Sequence, residues 1–206
     1  MITIIDYNAG NLTSVRRALE HLDLVCQVSA DPEVVRGAER VIFPGVGHAA
    51  SAMQVLRQRG LGQALSEAYA RGTPILGICL GSQIVLTHSN EGDTPCLGLI
   101  EGNCPRFSLA DPVLKIPHMG WNAVQLIQPH FILKDLRPGD EFYFVHSYYP
   151  QPADTRHVFA TAEYESCFPA AIGCRNLFAV QFHPEKSGAA GLTLLSNFAA
   201  WDGSPG

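Results

Sequence analysis

The sequence predicts an α/β fold: one domain on a central mixed, mostly parallel sheet flanked by helices. Three observations predict it. Short apolar runs alternate with helical segments through the first half of the 206 residues. The second half is dominated by extended runs. Glycine-bearing turns follow two of the first-half runs, at Pro44-Gly45 and at Cys79-Leu80-Gly81. A β-α-β-α order implies parallel strands joined by crossover helices on both faces.

Taken in order, Thr3 to Asp6 reads as a strand. Asn11 is placed to cap a helix in which Leu12, Val15, Leu19 and Leu22 recur at spacings of 3, 4 and 3. Leu24 to Ser29 is a second strand, and Asp31-Pro32 opens a helix with a capping carboxylate and a proline at its first position. Val41 to Phe43 is a third strand, ending at Pro44-Gly45. Helices follow from about Ala49 to Gln58 and Leu61 to Ala70. Pro74 to Cys79 is a fourth strand, and a helix is expected from Ser82 to Thr87. Beyond it, Lys115–Ile127, Glu141–Tyr149, Val158–Tyr164, Ala170–Cys174 and Leu177–Phe182 look extended, with a hairpin turn at Cys174 to Leu177. Leu192, Leu195, Phe198 and Trp201 mark a final helix. The domain is expected to span 1–201, with a frayed tail at 202–206.

Composition narrows the function. Charged residues are 16% and the net charge is −5, with no run of Lys or Arg. That excludes a general nucleic-acid binder, which needs a dense basic patch. The low charge is consistent with a face covered by a partner. The longest nearly uncharged stretch, Gly72 to Asn90, is too interrupted by Pro, Gly, Ser, Gln and His to span a membrane. The N-terminus has no basic segment ahead of a long apolar run, so no signal peptide is expected and the cytoplasm is the expected location. The six cysteines lie at 26, 79, 96, 104, 167 and 174, without a CxxC pair, and are expected to be mostly reduced thiols.

Gly77-Ile78-Cys79-Leu80-Gly81 is the sharpest motif. It reads G-x-C-x-G between a strand and a helix, the setting of a nucleophile elbow. The tight turn pushes the central side chain out, and the helix start offers backbone N–H groups to a thiolate or an oxyanion. The competing reading is a buried cysteine in a glycine-rich turn, and the motif by itself favours the nucleophile only slightly. Phe182-His183-Pro184-Glu185 is the second motif. On an extended strand His183 and Glu185 project to one side, giving the base and orienting carboxylate of a triad. Alone it is a His and a Glu at a solvated strand end; with the elbow it favours the triad. Pro44-Gly45-Val46-Gly47 would neighbour the elbow and supply a second oxyanion N–H, unless it is a plain turn. The other histidines show no metal-ligand spacing, and no phosphate-binding glycine motif occurs, so no metal or cofactor is expected. His118 and His146 lie in aromatic strands that serve as core, the usual reading, or as the lining of a ligand site or a partner surface.

An elbow and an F-H-P-E string, with 104 residues from Cys79 to His183, resemble the class I (triad) glutamine amidotransferases over nearly the whole chain. Within that class, Phe43-Pro44-Gly45-Val46-Gly47, Pro117-His118-Met119-Gly120-Trp121-Asn122, Phe144-Val145-His146-Ser147-Tyr148 and Phe182-His183-Pro184-Glu185-Lys186-Ser187 narrow the resemblance to the glutaminase subunits of imidazole glycerol phosphate synthase. The resemblance implies a flavodoxin-like fold and glutamine hydrolysis through a Cys79 thioester, with His183 as base and acid and Glu185 orienting it. It implies an oxyanion hole from Leu80 and from Val46 or Gly47, the latter requiring a peptide rearrangement. It implies that Gln83, Glu101, Ser147 and Tyr148 hold the substrate. It implies a 1:1 complex with a TIM-barrel cyclase subunit, docked on Asn11, His118, Met119, Trp121, Tyr143 and Lys186, to which ammonia passes. Two positions depart from the usual pattern: Ser82, where methionine is expected and looser packing would follow, and Asn8-Ala9. A different triad glutaminase, a cysteine hydrolase on the same sheet and a non-catalytic module are the competing readings.

Overall fold

The computed structural model describes residues 1–8, 10 and 12–205. The first half builds β1 (Ile2–Ile5), α1 (Leu12–His21), β2 (Cys26–Ser29), α2 (Pro32–Arg36), β3 (Arg40–Gly45), α3 (Ala49–Gln58), α4 (Leu61–Arg71), β4 (Ile75–Cys79) and α5 (Leu80–Ile84). The second half adds β5 (His88–Ser89), β6 (Thr94–Pro95), β7 (Gly102–Cys104), β8 (His118–Ala123), β9 (Gln125–Leu126), β10 (Glu141–His146), β11 (Gln151–Pro152), β12 (Val158–Tyr164), β13 (Ser166–Cys174), β14 (Leu177–Val180) and α6 (Gly188–Ala200). Asp31 caps α2 as expected, accepting from the Glu33 N–H at 2.9 Å. The cap assigned to Asn11 lies outside the described residues.

The main sheet runs β2-β1-β3-β4-β14-β13-β12-β9. Its first five strands are parallel and the rest antiparallel. Side chains alternate between its faces, as a strand's period of two demands. Ile42, Leu76, Ile78, Phe178 and Val180 pack on the side of α1 and α6, with Leu19, Leu195 and Phe198. Val41, Phe43, Ile75, Leu177 and Ala179 face the other way, toward α3 and α4 with Leu56, Leu61 and Leu65. Both sides are buried, which is why the parallel strands read as continuous apolar runs.

Several expectations need correction. The helix placed at Ser82–Thr87 starts earlier, directly after Cys79, and stops at Ile84. Its continuation is blocked because the N–H groups of Leu97, Leu99 and Gly98 take the carbonyls of Ile84, Val85 and Leu86. The run Lys115–Ile127 is two strands. β8 leaves the main sheet to pair antiparallel with β10 as a separate ribbon, and only β9 joins the sheet edge. The short β5, β6, β7 and β11 form a further four-stranded sheet that apolar periodicity did not signal. The strand ending the chain's last hairpin stops at Val180, so the F-H-P-E segment is not extended. Beyond α6 the Trp201 indole donates to the Ser204 carbonyl at 2.8 Å, and residues 202–205 carry no helix or strand.

Candidate functional site

Cys79 is the last residue of β4 and the residue before α5, with φ +54° and ψ −108°. A non-glycine residue in that region is strained and persists only where its surroundings impose it. Here the surroundings are close backbones. A Cβ on Gly81 would overlap the Phe43 carbonyl, and one on Gly77 would meet Ala179 Cβ at 2.9 Å. The two motif glycines are therefore required by approach, and the turn they permit presents the thiol. Ser82 does not loosen this turn. It is fully buried and its hydroxyl donates to the Cys79 carbonyl at 2.7 Å.

His183 and Glu185 come together by a different local geometry from the one the sequence suggested. Pro184 to Lys186 form a single 3-10 turn, which folds the Glu185 carboxylate back onto the ring. His183 Nδ1 and Glu185 Oε1 are 2.8 Å apart, with both side chains almost wholly buried. α6 supports the turn closely: a Cβ on Gly191 would overlap the Pro184 carbonyl. β10 clamps it from the other side. The His183 N–H donates to the Tyr143 carbonyl at 2.9 Å, the Tyr143 N–H donates to Ser187 Oγ at 3.0 Å, and that hydroxyl donates to the His183 carbonyl at 2.6 Å. The other ring nitrogen, Nε2, is buried and has no hydrogen-bond partner among the described residues. Burial opposes charge on this ring, but the nearby Cys79 sulfur and the hydrogen-bonded Glu185 carboxylate prevail and raise its pKa to about 10.

Cys79 and Leu80 open into a cavity of about 240 Å³ that is also lined by Val46, Gly47, Gln83, Ser147 and Tyr148. Val46 and Gly47 are exposed at its rim, and Gly47 has φ +103°. Gln83 Nε2 donates to the Tyr148 carbonyl at 2.8 Å. Two wall residues, Glu91 and Val145, and one buried residue beside the sulfur, Gln181, were not picked out by sequence as site residues. Glu91 lines the cavity and accepts from the Ala49 N–H, at the start of α3, at 2.7 Å. Val145 turns its carbonyl toward Cys79 Sγ at 4.0 Å. Gln181, fully buried, places Nε2 3.7 Å from the same sulfur. Glu91 lies in the small sheet's turn, where no motif marks it; Gln181 sits two residues before His183, so its proximity to the motif was the available signal.

Glu101 is a correction. It is exposed and lies with Thr87, Asn103 and Gln151 around a separate hollow at the small sheet. Its main chain, bonded to the Ala153 N–H at 2.9 Å, fixes it there rather than in the Cys79 cavity.

The residues expected on the partner face divide by strand alternation. Met119 and Trp121 point outward from β8 and are 61% and 55% exposed. Trp121 meets Tyr143 edge-on across the ribbon, and the Lys186 ammonium lies 5.7 Å from the Tyr143 ring. His118 is corrected to the interior. It is buried, stacks on Phe144 and Tyr164, and its Nδ1 lies 3.0 Å from His146 Nε2. His146 lines the cavity, so one of the two readings of these aromatic strands applies to each histidine. Among the described residues, no helix is long and apolar enough to cross a membrane.

A family model described as glutamine amidotransferase class-I matches residues 3–200. The imidazole glycerol phosphate synthase subunit HisH of Nitratidesulfovibrio vulgaris (strain Miyazaki F) is 50% identical, covering 98% of this chain and 97% of that protein. The subunit of the same name from Dechloromonas aromatica is 49% identical, covering 97% and 96%. Among solved structures, a GMP synthase subunit of Thermoplasma acidophilum aligns with a TM-score of 0.72 at 19% identity, over 97% of this chain and 92% of that one. PurLQS of Thermotoga maritima aligns with a TM-score of 0.71 at 17% identity, over 97% of each chain. These last two likenesses concern the fold.

Proposed function

The chain belongs to the class-I glutamine amidotransferase family, and from that premise we propose that it is the glutaminase subunit of imidazole glycerol phosphate synthase in histidine biosynthesis. The observation that carries the chemistry is the buried His183–Glu185 pair, whose imidazole is drawn toward its charged form by Cys79, a residue that lines one small cavity. Its place in that synthase is supported by identities near 50% over almost the full chain to proteins named HisH.

Cys79 attacks the side-chain carboxamide carbon of L-glutamine. His183 receives the thiol proton through Nε2 and passes a proton to the departing ammonia. Glu185 accepts from Nδ1, fixing the tautomer and stabilising the charged ring. The oxyanion meets the Leu80 N–H and an N–H from Val46 or Gly47. Water then hydrolyses the thioester to glutamate. Gln83, Ser147 and Tyr148 frame the substrate, and Glu91, one oxygen held by the Ala49 N–H, offers its charge to the α-ammonium group.

Ammonia protonates readily near neutral pH and then ceases to be a nucleophile, so its delivery calls for a closed route. We assign the receiving partner as the TIM-barrel cyclase subunit in a 1:1 complex that converts PRFAR to imidazole glycerol phosphate and AICAR, in the cytoplasm. Its docking face is the β8–β10 ribbon with Met119, Trp121, Tyr143 and Lys186. The test is glutamate release by the isolated chain, then with PRFAR and the cyclase, against Cys79→Ala. A large rise with partner and ligand, lost in the variant, is expected. A rate indifferent to the cyclase would remove the assignment to that synthase, and no glutamate under any condition would remove the glutaminase.

A further inference from the structure

The side-chain amide of Gln181 has an orientation that the surrounding hydrogen bonds determine. The Tyr148 carbonyl can only accept, so the Gln83 group 2.8 Å from it is the NH2 end. The same nitrogen lies 2.9 Å from Gln181. Its second proton must therefore meet the Gln181 oxygen. That leaves the Gln181 NH2 on the far side, 3.7 Å from Cys79 Sγ. The Tyr148 carbonyl is fixed in turn by His146 Nδ1 at 2.8 Å. The Gln181 backbone is tied by its N–H to the Ala170 carbonyl at 2.8 Å, and the side chain is fully buried. One directed network thus runs from a main-chain carbonyl to the sulfur, with no freedom to reverse.

We propose that Gln181 is a further residue of the nucleophile: its N–H, aimed by Gln83, stabilises the Cys79 thiolate. A fixed donor favours an acceptor sulfur over a thiol. Being neutral, it takes no proton itself, and His183 stays the proton carrier. The same bond serves both halves of the reaction, since the sulfur enters as a thiolate and leaves as one when water breaks the S–C bond of the thioester. The titratable groups around the sulfur are His183 and the buried Tyr7, with His146 and Glu91 on the walls of the same cavity, and none needs to change for this effect.

The inference rests on Cys79 being the nucleophile. Its test is the pH dependence of Cys79 alkylation by iodoacetamide, followed on the Cys79 peptide in the full chain. This readout needs no glutamine. Gln181→Met keeps the volume and removes the donor. Its alkylation midpoint is expected to rise by about one pH unit, a tenfold loss of thiolate below the midpoint, with the limiting alkaline rate retained. Glutamine turnover in the presence of the cyclase falls in kcat with KM unchanged. Gln83→Met, which leaves Gln181 in place but unaimed, shifts the midpoint in the same direction by less. Unchanged midpoints in both folded variants overturn the proposal, even where melting temperature moves. A wild type that alkylates but never hydrolyses glutamine would instead overturn the glutaminase reading and leave this one standing.

Discussion

Gly45 and Cys79 are register partners on the adjacent parallel strands β3 and β4. The loop that is to supply the second oxyanion N–H therefore begins on the same rung as the nucleophile. The approach at that rung is tight. A Cβ on Gly45 would overlap the Tyr7 hydroxyl and come to 3.0 Å from Leu80 Cβ. Tyr7 is itself buried against Phe43, and its hydroxyl has no hydrogen-bond partner among the described residues.

Gly45→Ala is accordingly expected to destabilise the fold by about 1–3 kcal/mol, the usual cost of overpacking. Tyr7→Phe removes the obstructing oxygen and also an unsatisfied buried hydroxyl, so the double variant should recover most of the loss. Gly81→Ala has no such remedy, because a main-chain carbonyl, that of Phe43, stands in the way. Thermal melts of the four variants check this, and a double variant no more stable than Gly45→Ala would contradict the packing.

Stability should fall on both sides of pH 6.5, for opposite reasons. Burial lowers the pKa of His118 and of His130 to about 4 and that of His146 to about 3. These rings fold neutral, so the unfolded chain binds more protons below about 6.5, and stability is lost as pH falls toward 3. His183 is the reverse. Its pKa is raised to about 10, so its contribution is complete below about 6.5 and is lost as pH rises through 10. Denaturant unfolding across pH should show His118→Gln flattening the acid limb and His183→Gln flattening the alkaline limb. Parallel curves for wild type and variants would refute the assignment.

The two catalytic motifs were legible because each is local. The elbow needs glycines at 77 and 81, and the base needs a carboxylate two residues on. What periodicity suggested about His183 and Glu185 had the right outcome through the wrong geometry: a 3-10 turn, not strand alternation, brings them to 2.8 Å. Strand alternation did decide β8, sending His118 inward and Met119 and Trp121 outward, but only once the strand's bounds were known. Glu91 and Val145 reach the cavity, and Gln181 the Cys79 sulfur, through tertiary packing, with no short-range pattern to mark the first two. Glu101 shows the converse, a residue near in sequence to the cavity wall that the small sheet carries elsewhere.

Glu91 is held by the α3 N-terminus on one oxygen and faces the cavity. Glu91→Gln keeps the bond to the Ala49 N–H and removes the charge. The expected result is a rise in KM for glutamine of about tenfold or more with kcat little changed, the mark of lost uniform binding. Glutaminase kinetics in the complex decide it, and an unchanged KM would place the substrate's ammonium group elsewhere.

The β8–β10 ribbon brings the exposed face within one residue pair of the chemistry. Met119 is paired with Val145, whose carbonyl faces Cys79, and Trp121 with Tyr143, whose carbonyl holds the His183 N–H. A partner seated on Met119 and Trp121 therefore bears on the main chain that positions both the nucleophile and the base. Trp121 is half exposed in the isolated chain, so Trp121→Ala should leave the melting temperature nearly unchanged. Large aromatics at an interface centre carry much of the binding energy, so the same change should weaken association with the cyclase by about 2 kcal/mol, close to thirtyfold in Kd. Titration calorimetry gives that loss directly. At saturating cyclase the variant should still show reduced stimulation of glutamine hydrolysis, because the residue paired with Tyr143 is gone. Full stimulation at saturation would confine Trp121 to affinity and break the link between the docking face and His183.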